Sequence, residues 1–185
     1  MNRRLNARYW LAGCIYLATF TFSCNKPEKQ AVIDDESIFF SLSEYFNAEA
    51  VRLQQLAPTI EKTVSKNGET ERHVLQITDW KRELDLFIES DINKPAWRNS
   101  YRADSSASAV MIKRIDPDLR TERIVIKKKP DGSVGHIIII NQLKNALYET
   151  EERLEYFPDS LYRIDKRQWI RFIGENHFHV SGVRQ

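Results

Sequence analysis

The chain has 185 residues, with 28 Lys and Arg against 26 Asp and Glu and a formal charge of +2. Three of the basic groups, Arg3, Arg4 and Arg8, stand at the very start; without them 25 basic face 26 acidic groups, which leaves no electrostatic case for nucleic-acid binding. Beyond that start, about 150 residues are ample for one hydrophobic core and small for two.

Residues 9–22 form an apolar run behind those arginines, and Ser23-Cys24 closes it before the polar stretch Asn25-Lys26-Pro27-Glu28-Lys29. A basic head, an apolar middle and a small residue before the cut describe an export signal over residues 1–23. The run is too short for a spanning helix, which needs about 20 apolar residues. Its end resembles the lipobox of bacterial lipoproteins, whose cysteine becomes the acylated first residue of the mature protein. Two cysteines compete for that lipid. Leu11-Ala12-Gly13-Cys14 is the better lipobox by letters, and Thr21 and Phe22 depart from the usual pattern before Cys24. Cleavage before Cys14, however, leaves only residues 9–13 as the apolar segment, short of the roughly 7–15 such a region has. Cys24 is therefore the expected lipidation site, and the folded part then carries no thiol.

Residues 24–35 read as the lipidated cysteine and a polar tether, able to reach on the order of 35 Å when extended. Ile38, Leu42, Tyr45, Phe46, Leu53 and Leu56 recur at three- and four-residue spacing behind Asp34-Asp35-Glu36, which predicts a helix ending before Pro58. Glu49 alone spoils its stripe. Residues 59–66 and 69–76 flank Asn67-Gly68, a hairpin signal. Thr78 or Asp79 caps a second helix whose one face is Trp80, Leu84, Phe87 and Ile88, stopped by Asn93-Lys94-Pro95. The polar, Ser-rich residues 104–108 read as a mobile loop.

Strands are expected over 110–115, 122–129, 133–141, 146–156, 161–165, 168–173 and 177–183, with a turn at Pro130-Asp131-Gly132. The four consecutive isoleucines, Ile137 to Ile140, predict a strand buried on both faces, so something must cover the second one. Residues 143–157 also fit a helical face through Leu143, Leu147, Leu154 and Phe157, and strand and helix both stay open there. The pattern predicts an α+β fold: a curved antiparallel meander of about six to eight strands packed by two amphipathic helices, one domain over residues 36–185.

Chemistry-bearing residues are few. His177 and His179 share one face of a strand, but structural zinc wants four ligands and catalytic zinc usually three, and no further ligand stands nearby. A solvated face explains them. His73 and His136 are isolated, and Lys127-Lys128-Lys129 keep a hairpin end soluble. Glu149, Glu151 and Glu155 alternate with Arg153 as an exposed strand face does, rather than as paired catalytic carboxylates. Phosphate loop, nucleophile elbow and cysteine nucleophile are all missing from the sequence, so no catalytic residue, cofactor or metal is assigned and no enzyme is expected.

The stretches Ser90-Asp91-Ile92-Asn93-Lys94-Pro95-Ala96-Trp97, Tyr156-Phe157-Pro158-Asp159-Ser160-Leu161-Tyr162-Arg163-Ile164 and Gly174-Glu175-Asn176 resemble those of a family of small, uncharacterised Gram-negative bacterial lipoproteins. That resemblance implies location and size and brings no activity or site residue. Among lipoproteins Asn25 after the cysteine, in place of Asp, implies the outer membrane, with the domain facing the periplasm. In outline the expected sheet is also similar to the lipoprotein-carrier fold, an analogy at fold level alone. The expected function is a membrane-anchored, non-catalytic binding or accessory module of the cell envelope. Its partners are the bilayer, through acylated Cys24, and an envelope protein or apolar ligand. The alternative is a carrier that holds an acyl chain or other apolar ligand inside the sheet.

Overall fold

Ser41 opens the first helix, its Oγ accepting the Glu44 N–H at 3.1 Å, and α1 (Leu42–Leu56) buries Leu42, Phe46, Ala50 and Leu53 along one stripe. The helix ends on Ala57, which turns the chain into the left-handed region (φ 43°) just ahead of Pro58. These features come from a computed structural model that describes residues 39–185; Cys14, Cys24, the export signal and the tether lie outside the described residues.

The expected second helix is two single turns, α2 (Trp80–Glu83) and α3 (Asp85–Ile88), parted at Leu84 (φ −96°, ψ 9°). So short a segment has little helical stability of its own, and packing decides its path. The apolar face survives the break: Trp80, Leu84 and Phe87 are all buried. A 3₁₀ turn at Pro95–Trp97 follows.

The described residues hold nine strands rather than about six to eight. They are β1 (Thr59–Lys66), β2 (Glu69–Gln76), β3 (Tyr101–Ser105), β4 (Ala109–Arg114), β5 (Thr121–Lys128), β6 (Val134–Lys144), β7 (Tyr148–Phe157), β8 (Leu161–Ile170) and β9 (Gly174–Arg184). One antiparallel sheet runs β2-β1-β9-β8-β7-β6-β5-β4-β3. It is a meander of β3 to β9 onto which the N-terminal hairpin adds through β1 beside β9. Asn67 and Gly68 both take positive φ, as the hairpin signal requires.

Two expectations are corrected, and a third, left open between strand and helix, is decided. Residues 104 and 105, read as loop, belong to the edge strand β3, whose ladder with β4 satisfies the backbone while its polar side chains keep the edge soluble. The stretches 161–165 and 168–170 are one strand, β8, because Lys166 and Arg167 stay in register with Phe178 and His177, and residues 171–173, expected as strand, form the turn into β9. Residues 148–157 are strand, not helix: of the residues that also fitted a helical face, Leu143 belongs to β6, Leu147 to the turn, and Leu154 and Phe157 to β7.

Alternation sorts the sheet into two faces. The helices cover Ile112, Ile124, Ile126, Ile137, Ile139, Leu154, Tyr156 and Tyr162, with Phe46 at 4.8 Å from Phe87 and 5.1 Å from Tyr156, ring to ring. On the open face Ile138 is half-buried, and Ile140 is buried between its register neighbours Arg123 and Arg153, whose long stems can shield it. Only part of the isoleucine run is thus covered twice. Gly182 sits under the Tyr162 ring, so close that an added Cβ would lie 2.1 Å from it. Every member of the buried apolar cluster lies between Leu42 and Ile164, and the strand partners of that cluster end at Arg184. The described residues therefore hold one continuous core within a single compact unit.

The sheet also has two ends. One carries the start of β3, β5, β7 and β9 and the finish of β4, β6 and β8. Phe39, the first described residue, lies at this end: its ring meets Tyr101 edge-on at 6.3 Å, and Asn93 clasps its backbone at 3.1 and 3.2 Å.

Candidate functional site

Asn141 and Glu152 occupy core positions by phase. Asn141 follows Ile137 and Ile139 at two-residue steps on β6, Glu152 precedes Leu154 and Tyr156 on β7, and the two face each other in register. Both are buried, at 1% and 4% exposure, so the polar groups need internal partners. Asn141 Nδ2 donates to Ser90 Oγ at 2.9 Å and to a Glu152 oxygen at 3.4 Å. Arg120 donates to the same carboxylate oxygen at 2.6 Å, and the Lys166 ammonium lies 3.1 Å from the other. Thr121 Oγ1 donates to the Ser90 carbonyl, and Ser90 Oγ in turn donates to the Leu86 carbonyl. Burial pushes the Glu152 carboxyl up, but Arg120 first and Lys166 second outweigh it and hold the group below its ordinary value.

Glu152 also fixes the amide of Asn141, because the reversed orientation would set Oδ1 against a carboxylate. Asn141 Oδ1 is left buried without a partner. Beside it opens a cleft of about 370 Å³ lined in part by Arg120, Gln142, Tyr148, Thr150, Lys166 and Gln168. Its walls offer both charges and several amides, which suits a small polar or zwitterionic group or a peptide side chain.

The open face has a second cleft, of about 330 Å³, across β1, β9, β8 and β7. Here the structure places the histidines singled out in the sequence. His177 and His179 share the face, but each has its own carboxylate: His177 Nε2 lies 3.2 Å from Glu175 and His179 Nδ1 2.6 Å from Asp165. Among the described residues no group of three or more His, Cys, Asp or Glu is placed to share an ion. Ser65, His179 and Asp165 stand in one row across three strands. Ser65 Oγ accepts the Thr70 hydroxyl at 3.1 Å and is not joined to the imidazole, so the base-to-hydroxyl link of nucleophilic chemistry is not made.

Glu149, Glu151, Arg153 and Glu155 share the open face of β7 as the alternation requires. Glu149 pairs with Lys144, while Glu155 is buried between Arg153 and Arg163 at 2.6 and 3.3 Å, less exposed than the pattern suggests. His136 stacks on Phe157 at 3.8 Å, and its burial lowers its pKa. Glu49, the residue that spoiled the helix stripe, accepts the Tyr156 hydroxyl at 2.8 Å and pairs with Arg52. Cys24 lies outside the described residues.

Sequence reading missed the Asn141–Glu152 pair. Its signal was there: two polar residues in the core phase of apolar strands. Compared with known proteins, the chain matches no family model and no curated protein.

Proposed function

We propose that this protein is a lipid-anchored envelope module that binds a polar partner or ligand at the Asn141–Glu152 cleft and does no chemistry on it. One observation carries the choice of binder over carrier: the interior is filled where a carrier would be hollow. Ile137 and Ile139 have no exposure and pack in the cluster with Phe46 and Phe87, and none of four clefts on the described surface is lined by Ile137 to Ile140. A carrier of acyl chains would need a sheet curved around a cavity of several hundred Å³ there. The polar cleft, by contrast, stands open beside a buried acceptor that lacks a donor.

Acylation of Cys24 supplies the anchor in this reading, with the domain facing the periplasm from the outer membrane. Fatty-acid labelling in a Gram-negative host tests it: Cys24→Ala abolishes incorporation and Cys14→Ala does not, and the reverse pattern moves the anchor to Cys14. Native mass spectrometry of residues 36–185, purified without detergent, tests binder against carrier. A mass equal to the bare chain is expected; a retained apolar ligand overturns the choice.

A further inference from the structure

The two ends of the sheet differ in a way that neither the core nor the cleft explains. At the end where Phe39 enters the domain, the β6–β7 and β8–β9 turns are joined by the Arg171 N–H on the Leu147 carbonyl at 2.9 Å. The joined tip is apolar and bare: Phe172 is 92% exposed, Ile173 74% and Leu147 64%, with Trp169 half-exposed beside them. Phe172 is held out at φ 71°, a left-handed conformation that a bulky residue adopts only at a cost. The Arg171 guanidinium lies over its ring at 5.1 Å. The tip's neighbours at the same end, Asn67-Gly68 and Asp116-Pro117-Asp118, are polar. So are all three turns at the opposite end, Lys129-Pro130-Asp131-Gly132-Ser133, Pro158-Asp159-Ser160 and Ser106-Ala107-Ser108, so the bare apolar surface is confined to the joined tip.

We infer that this tip is a seat for the bilayer surface, with Phe172, Ile173 and Leu147 dipping among the headgroups and Arg171 meeting their phosphates. Aromatic and aliphatic side chains flanked by arginine are the composition that partitions into a membrane interface. The occupant follows from where the chain goes. The inference rests on the anchored reading, in which 14 residues separate Cys24 from Phe39; such a segment spans at most roughly 50 Å. Phe39, where the described chain begins, stands at the same end as the tip, so a tether of that length allows anchor and seat to meet one surface. A domain seated in this way stands with its strands steep to the membrane and the turns of the opposite end pointing away. The Asn141–Glu152 cleft, lined by Leu143 and Tyr148 next to the tip, then opens close to the lipid.

The test uses residues 36–185, which contain the whole core and no cysteine. An N-terminal hexahistidine on a nickel-chelating lipid holds the piece to vesicles of phosphatidylethanolamine and phosphatidylglycerol, in place of the acyl chains. An environment-sensitive fluorophore is attached at Phe172→Cys or, as the far-end reference, at Asp131→Cys. A blue shift and brightening at 172 and none at 131 is the expected result. Equal responses at both sites, or a response at 131 alone, overturn the inference, as does a probe at 172 that stays in water. A label on Leu147→Cys, with Ile173→Asp added, gives the second measurement: the added charge expels the tip and the blue shift at 147 falls by about half or more, whereas an unchanged shift counts against insertion. Because the tag replaces the lipid, the two fail separately: a probe that stays in water overturns the seat and leaves the Cys24 reading standing, while failure of fatty-acid labelling is read in that assay alone and removes the anchor from which the occupant was argued.

Discussion

Glu151 and Glu152 are neighbours on β7 with opposite fates, and the two faces of the sheet differ as they do. Glu151 stands exposed on the open face, where charges of both signs alternate across strands and water shares the load. Glu152 is buried on the covered face and is tied to Arg120, Lys166 and Asn141. Glu49 and Glu83 follow the second pattern, holding the hydroxyls of Tyr156 and Tyr162 at 2.8 and 2.6 Å. Burial thus turns a carboxylate from a solubility device into a fixed structural part. Substitutions on the covered face should therefore cost several-fold more than those on the open face, and five measurements rank the difference.

The largest effect is expected at Phe87, which is fully buried between Phe46 and Tyr156. Phe87→Ala should destabilise the domain by about 3–5 kcal/mol through lost burial and a residual cavity. For a chain of this size that lowers the melting temperature by roughly 6 °C or more. A shift below about 2 °C would mean that the helices rest loosely on the sheet, and the contrast between the faces would go with it.

Arg120→Ala comes next, because it leaves the buried Glu152 carboxylate with Lys166 as its one remaining charged partner. Removing one partner of a buried pair costs on the order of 3 kcal/mol, read from denaturant midpoints. The same network sets an acid limb. The folded-state pKa of Glu152 lies below its unfolded value, near 4.3 for an ordinary glutamate, so its contribution is complete above that pH and is lost as pH falls toward the folded value. Glu152→Gln should flatten the fall of stability below about pH 4.5 relative to the parent chain. An unaltered acid limb would place the stabilising charge elsewhere.

Much of the fold was legible because it rests on local codes. Asn67-Gly68 specified a hairpin, the Leu42–Leu53 spacing specified α1, and alternation placed the strands from residue 109 onward. What escaped depends on pairing that one sequence does not display. β3 is polar and owes its strand form to the ladder with β4, and Lys166-Arg167 looked like a break because their partners Phe178 and His177 lie on another strand. The nine-residue segment of α2 and α3 has too little intrinsic helicity to hold its path against packing. At the site, the histidines drew notice by residue type, yet each is already held beside its own carboxylate. Asn141 and Glu152 carry the better signal in their phase, which matters more than their chemistry when burial decides the cost.

Gly182→Ala probes the covered face without touching a charge. The new Cβ would overlap the Tyr162 ring, and Tyr162 cannot swing aside freely while its hydroxyl is bound to Glu83, itself paired with Lys62 at 2.6 Å. Overpacking of this kind costs about 1–3 kcal/mol. Adding Tyr162→Phe releases the ring from Glu83 and should recover part of that loss, so the double variant is expected to be less destabilised than the two single changes sum to. Strict additivity would show that the ring is not held by its hydroxyl.

The smallest effect belongs to one of the shortest contacts on the open face. Asp165 and His179 lie 2.6 Å apart, closer than most pairs in the protein, and geometry alone would rank them with Arg120 and Glu152. Exposure reverses the ranking. Their side chains are 45% and 35% accessible, water solvates both partners when the contact is broken, and salt screens what attraction remains. Neither His179→Ala nor Asp165→Asn should cost more than about 0.5 kcal/mol, and a double-mutant cycle should give a coupling of similar size that shrinks further at high salt. A coupling near that of the buried pair would show that distance, and not burial, governs these contacts. It would also single out the row of Ser65, His179 and Asp165 as held in place for a reason beyond the solubility of an open sheet face.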